Sequence, residues 1–202
     1  MPVRPALVVT ALLALAPTAY AQDFGVLESA ETINQGNFKF GVFPLFILPD
    51  EGDNVFSVAA SVGYGLNDSF DIEGRAAFSE NVTFFGGDAE YWFVKNRPLD
   101  LSLRGGAHFG MIEGDVDDTA GIDLSVIGSA PIATNVEFIG ALDMAFNSSD
   151  GGADDDWFTT VHLVPGVEIA LTPDLDFLAE FGLGVTDSSS HYLGFGLAFY
   201  LR

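Results

Sequence analysis

From residue 37 onward, apolar and polar residues alternate along most of the chain. Phe56, Val58, Ala60, Val62, Tyr64 and Leu66 share one parity, and Ser57, Ala59, Ser61, Gly63 and Gly65 take the other. A period of two is the signature of a β-strand. The next segment sets Phe70, Ile72, Ala76 and Phe78 against Asp71, Glu73, Arg75 and Ala77. A third sets Leu99, Leu101, Leu103, Ala107 and Phe109 against Asp100, Ser102, Arg104, Gly106 and His108, and Phe177, Ala179, Phe181 and Leu183 oppose Asp176, Glu180, Gly182 and Gly184. No helical window competes over comparable lengths. The pattern predicts ten strands at 37–48, 54–66, 69–79, 82–95, 99–112, 120–133, 136–147, 157–171, 175–186 and 191–201, with eight or twelve strands as alternatives.

Two kinds of connection take turns between these strands. Short ones are Leu66-Asn67-Asp68, Lys95 to Pro98, Ala133-Thr134-Asn135 and Thr172-Pro173-Asp174; mostly longer, acidic or Ser/Gly-rich ones lie at 49–54, 79–81, 113–118, 147–156 and 186–190. Asn, Asp, Pro and Gly supply the turn dihedrals. Two architectures fit: a soluble sandwich or lipocalin-like barrel with apolar faces inward, or a membrane barrel with apolar faces toward lipid. Strand length decides between them. Most strands reach the roughly ten residues that a tilted strand needs to cross a bilayer, against about 5–6 in soluble proteins. The polar face is Gly, Ser, Asp and Glu, and Lys39 and Lys95 are the only lysines available to blunt exposed edges. The predicted fold is therefore all-β: a transmembrane, antiparallel, up-and-down β-barrel. Aromatic girdles are expected at Tyr64, Tyr91, Trp92, Phe93 and Phe199 near one rim. Phe46, Phe84, Phe85, Phe109, Phe146 and Trp157 are expected near the other.

Composition narrows the function classes. The 202 residues carry 7 basic and 29 acidic side chains, a net charge of −22, with 49% hydrophobic residues and no cysteine. That apolar content excludes a disordered acidic tail, and the acidity argues against nucleic-acid binding. The absence of cysteine removes disulfides, thiolate metal sites and Cys nucleophiles. Met1 to Ala21 reads as a secretory signal peptide: Arg4 supplies the charged n-region, Ala6 to Ala16 the apolar h-region, and Ala19-Tyr20-Ala21 the cleavage site. Residues 22–36 are expected to be a periplasmic lead-in or an extension of the first strand, and 37–202 the barrel.

Tyr64-Gly65-Leu66-Asn67-Asp68-Ser69-Phe70-Asp71-Ile72 and Ile169-Ala170-Leu171-Thr172-Pro173-Asp174-Leu175-Asp176-Phe177 resemble periplasmic turns of Gram-negative outer-membrane β-barrel proteins. The last strand, with Leu193, Phe195, Leu197, Phe199 and Leu201 alternating, is similar to the terminal strand read by that family's insertion machinery. It departs from the family in ending on Leu201-Arg202 rather than an aromatic. The resemblance implies outer-membrane localisation after signal-peptide removal, both termini periplasmic, and contact with outer-membrane lipid and lipopolysaccharide.

Alternation assigns Asp71, Glu73, Asp88, Glu90, Asp100, Asp123, Glu137, Asp143, Glu168, Asp176 and Glu180 to the lumen, against Lys39, Arg75 and Arg104, a balance of −8. Three cations cannot pair eleven anions, so the lumen is expected to hold water or shared protons. His108 and His162 also project inward, whereas His191 sits near a rim. Acidic loops at Glu113, Asp115, Asp117 and Asp118, and at Asp150, Asp154, Asp155 and Asp156, offer oxygens to divalent cations. Neither has EF-hand spacing, so a solvated, repulsive surface is the preferred reading. Ser190 and His191 are neighbours on one strand and face opposite ways, which disfavours a hydrolase. The expected function is a porin-like, narrow, cation-preferring channel or a structural barrel, without cofactor or catalysis. A surface binding module acting through the acidic loops is the alternative, and a hydrolase comes third.

Overall fold

The computed structural model describes residues 25–49, 52–95, 98–113, 118–149 and 156–202. Ten strands follow in order: β1 Phe38–Leu48, β2 Val55–Asn67, β3 Phe70–Ser79, β4 Val82–Val94, β5 Asp100–Ile112, β6 Thr119–Ala133, β7 Val136–Ser149, β8 Asp156–Thr172, β9 Leu175–Gly184 and β10 His191–Leu201. Each neighbours the next, every pair is antiparallel, and β1 pairs with β10 to close the barrel. At that seam Phe38 lies opposite Leu201 and Leu48 opposite His191. The strands begin and end within two residues of the positions that alternation predicts. Closure satisfies the backbone donors and acceptors of every strand, which an open edge in lipid would leave bare.

The distribution of side chains is inverted relative to a soluble protein. Phe40, Val62, Ile72, Leu103, Leu142, Leu163, Leu183, Leu197 and Phe199 all lie on the exposed face. A contiguous apolar surface of this size on a monomer is untenable in water and is the face a bilayer requires. Rings pair across neighbouring strands on this face, as in Phe46 with Phe56 at 5.2 Å and with Phe195 at 6.1 Å between centroids.

Two girdle assignments do not hold. Phe84 is buried inside the barrel, 6.3 Å from the His108 ring, and Trp92 shares the inward parity of Glu90 and lies opposite Ser102. The strand's period of two allows only alternate members of Phe84-Phe85 and Tyr91-Trp92-Phe93 to meet lipid. Phe85, Tyr91 and Phe93 are the ones that do.

Residues 25–37 neither extend β1 nor lie outside the barrel. Val26, Leu27, Ala30 and Ile33 are buried inside it, and the segment's one sheet contact is an isolated bridge between Gln35 and Gly65. Polar wall groups hold it: the Glu180 carboxylate accepts from the Val26 and Leu27 amides, and Asp71 accepts from Ile33. The expectation of a lead-in or strand extension is thus corrected for residues 25–36, whereas residues 22–24 and the expected signal peptide lie outside the described residues. The segment carries apolar side chains that need burial, and the lumen of a ten-stranded barrel has room for them. Gly65 makes the close approach possible, because a Cβ there would lie 2.2 Å from the Asn34 carbonyl oxygen and 2.3 Å from that of Ile33.

Candidate functional site: the occupied lumen

The candidate site is the interior of the barrel, and the strand register populates it. Asp71, Glu73 and Arg75 come from β3, Asp88 and Glu90 from β4, and Asp100, Arg104 and His108 from β5. Asp123 comes from β6, Glu137 and Asp143 from β7, His162 and Glu168 from β8, and Asp176 and Glu180 from β9. All are buried or half-buried on the inward parity.

Glu28 of the inserted segment is the centre of the charge cluster, a position that no alternation in its stretch of chain indicates. Its carboxylate lies 3.3 Å from Lys39 Nζ, 3.0 Å from Arg75 Nη2 and 2.7 Å from Arg104 Nη1. The wall supplies counter-charges of its own. Lys39 reaches Glu73 at 2.9 Å, Arg75 Nε lies 3.0 Å from both Glu73 and Asp88, and Arg104 Nη2 lies 3.2 Å from Asp143. Ser125 donates to the same Asp143 oxygen and accepts from Arg104. The two arginines also donate to the segment's backbone, Arg75 to the Gly25 carbonyl at 3.2 Å and Arg104 to that of Val26 at 3.1 Å. Burial by itself raises a carboxyl pKa, but Arg75, Arg104 and Lys39 together outweigh it and hold Glu28 at about 2.

Toward the end of the barrel bearing the short turns, carboxylates dominate. Glu31 of the segment is pushed up by burial and then by Glu137, Asp100 and Asp176. Toward the loop end, His108 Nδ1 meets Asp123 at 2.9 Å and its Nε2 meets Asn147 Oδ1 at 2.9 Å. His162 Nε2 donates to the Ser190 carbonyl at 2.8 Å, and His191 Nδ1 accepts from the Gly184 amide at 3.0 Å. Ser190 thus meets His162 through its backbone carbonyl. Phe43, Leu45, Phe84 and Tyr192 fill the same level. A crevice lined by Val26, Leu27, Phe43, Ser61, Glu73 and Arg75 remains beside the segment.

Of the loop acids, Asp115, Asp117, Asp150, Asp154 and Asp155 lie outside the described residues. Asp118 accepts from the Ile112 amide at 3.2 Å, and Asp156 opens β8 opposite Ser149. Among the described residues no group of three or more acids and histidines is arranged to hold a metal ion.

An outer membrane channel from Pseudomonas putida F1 superposes on the barrel with a TM-score of 0.56 at 11% identity, covering 89% of this chain and 100% of that one. A bacterial polysaccharide outer membrane secretin gives 0.52 at 14% identity, over 82% of this chain and 66% of that one. At these identities the likeness is one of fold. No curated protein matches the chain in sequence. A closed barrel with an apolar exterior and a charged interior is the architecture of an outer-membrane protein. The model of the outer membrane protein beta-barrel domain matches residues 6–199, and the chain belongs to that family.

Proposed function

We propose that the protein is a porin-type barrel of the Gram-negative outer membrane, reached after removal of residues 1–21, closed as folded and cation-preferring whenever its lumen conducts. The observation that carries this reading is the inserted segment, which places a further acid, Glu28, among the lumen charges and brings no cation with it. Eleven wall acids against three wall bases leave a negative lumen in any state of the segment. Confined carboxylates concentrate cations and repel anions. The barrel's work in this reading is passage and not catalysis.

Planar-bilayer recording in a KCl gradient tests it. The expected record is a mostly closed trace at neutral pH whose openings reverse at a cation-selective potential. Selectivity should fade toward 1 M salt, where the Debye length is about 3 Å. An anion-selective reversal potential, or a large steady conductance from the native protein, would overturn the reading.

A further inference from the structure

We propose that residues 25–34 are a detachable plug, latched by Glu28 on Lys39, Arg75 and Arg104, and not a fixed part of the barrel core. The inference rests on the porin-type reading and adds the device that would gate it. Three features of the contact set carry it.

The attachments are reversible in kind. The segment is held by ion pairs, by amides donated to Glu180 and Asp71, and by a few apolar side chains; its sheet contact is one bridge, at Gln35. Its departure breaks no strand pairing, so the barrel can persist without it.

The wall is prepared for that departure. Lys39 keeps Glu73, Arg75 keeps Glu73 and Asp88, and Arg104 keeps Asp143. A charge abandoned in a dry interior is what makes breaking a buried pair costly. Here no wall cation loses its last carboxylate, and Glu28 leaves into water.

The bound segment is strained and hinged. Leu27 sits at φ 46°, a left-handed conformation that a side-chain-bearing residue adopts at a cost and that release would relieve. Gly36, at φ 82°, lies in the exposed turn between the plug and β1, with no atom near where a Cβ would stand.

The chain has no cysteine, so two thiol experiments on the full-length protein separate the plug from the channel. In Ala30→Cys, a thiol placed at a fully buried plug position reports release by its rate of labelling with a hydrophilic maleimide. Adding Glu28→Gln should raise that rate at least tenfold, together with the open probability in bilayers. Ile33→Cys with Gly63→Cys, which keeps Glu28, should form a disulfide, because Ile33 Cδ1 lies 2.4 Å from where a Cβ at Gly63 would stand, which holds the two Cβ atoms within about 5 Å of each other. The oxidised protein should stay closed, and reductant should restore openings. Equal labelling rates with and without Glu28 would overturn the plug, and so would openings of equal, non-zero probability in oxidised and reduced protein. Faster labelling in Glu28→Gln with no conductance at all would uphold the plug and overturn the channel reading.

Discussion

Replacing Gly65 by alanine isolates the contact between the inserted segment and the wall. The new Cβ would stand 2.2 Å from the Asn34 carbonyl oxygen, 2.3 Å from that of Ile33 and 2.7 Å from the Asn34 carbonyl carbon. All three are backbone atoms, so no side chain can rotate away, and the segment must retreat by about 1 Å to reach ordinary contact. Two hydrogen bonds span that gap, Gly36 N to Gly65 O at 2.9 Å and Gly65 N to Asn37 O at 3.1 Å. The Ile33 amide bond to Asp71, 2.7 Å long, lies next to it. Neutral bonds contribute about 0.5–1.5 kcal/mol each and a bond to a charged group about 1.5–3. Losing the first two and weakening the third amounts to about 3 kcal/mol, an upper figure because water can replace the partners.

The matched control is Gly74→Ala, where the nearest atom to the new Cβ is Val62 Cγ1 at 3.9 Å. That change should be neutral or slightly stabilising, since alanine replaces the most flexible residue within a strand. Hydrogen exchange of the folded protein in detergent reads the difference. Gly65→Ala should lower protection of the Ile33 and Gly36 amides by up to about two orders of magnitude and leave mid-strand amides of β7 unchanged. Unaltered protection at Ile33 and Gly36, or a uniform loss that Gly74→Ala shares, would refute the assigned contact.

Val62→Arg and Leu103→Arg, near mid-strand on the lipid face, should each cost about 2–4 kcal/mol in refolding titrations into lipid, and Ser61→Thr on the lumen side far less; equal costs would reverse the inside-out assignment. Phe84→Ala, emptying a site only 4% exposed, should cost about 3–5 kcal/mol, and Phe85→Ala clearly less because that ring is 46% exposed. A larger loss at Phe85 would return Phe84 to the girdle. Glu28 is held at about 2 against an ordinary 4.5. Its contribution of about 3 kcal/mol should be complete above pH 4.5 and disappear as pH falls through 2. Urea titrations of wild type and Glu28→Gln should therefore converge between pH 5 and pH 2, and a constant gap would contradict the latch.

The wall was legible from sequence because a period of two fixes each side chain's face once one residue is placed. Asp71, Glu73, Arg75, Arg104 and Glu180 needed only parity to be assigned inward. Clustering with neighbouring aromatics points Phe84 and Trp92 to the girdles, but the same parity turns both inward. The plug had no such period. Val26, Leu27, Ala30 and Ile33 recur at spacings that match no strand, and their apolar character in a stretch assigned to water was the available signal. Gly63 and Gly65, adjacent on the inner face of one strand, were a second signal, since small residues there imply something packed against the wall. Glu28 stayed hidden because its three partners converge only when β1, β3 and β5 are curled around it.

The seam between β1 and β10 joins residues such as Phe38 and Leu201, the most distant partners in the chain. Pairings of that separation carry the largest closure entropy and form late. Here the joint is clasped from both sides. On the lipid side the Phe46 and Phe195 rings stack across it at 6.1 Å, and on the lumen side Leu27 packs against Leu45 of β1 and the Gly194 backbone of β10. A segment that precedes the first strand thus works as an internal rivet on the last joint to be made. Parting the barrel sideways requires drawing that rivet as well as unzipping the two strands, so resistance to lateral opening and occupancy of the lumen should rise and fall together.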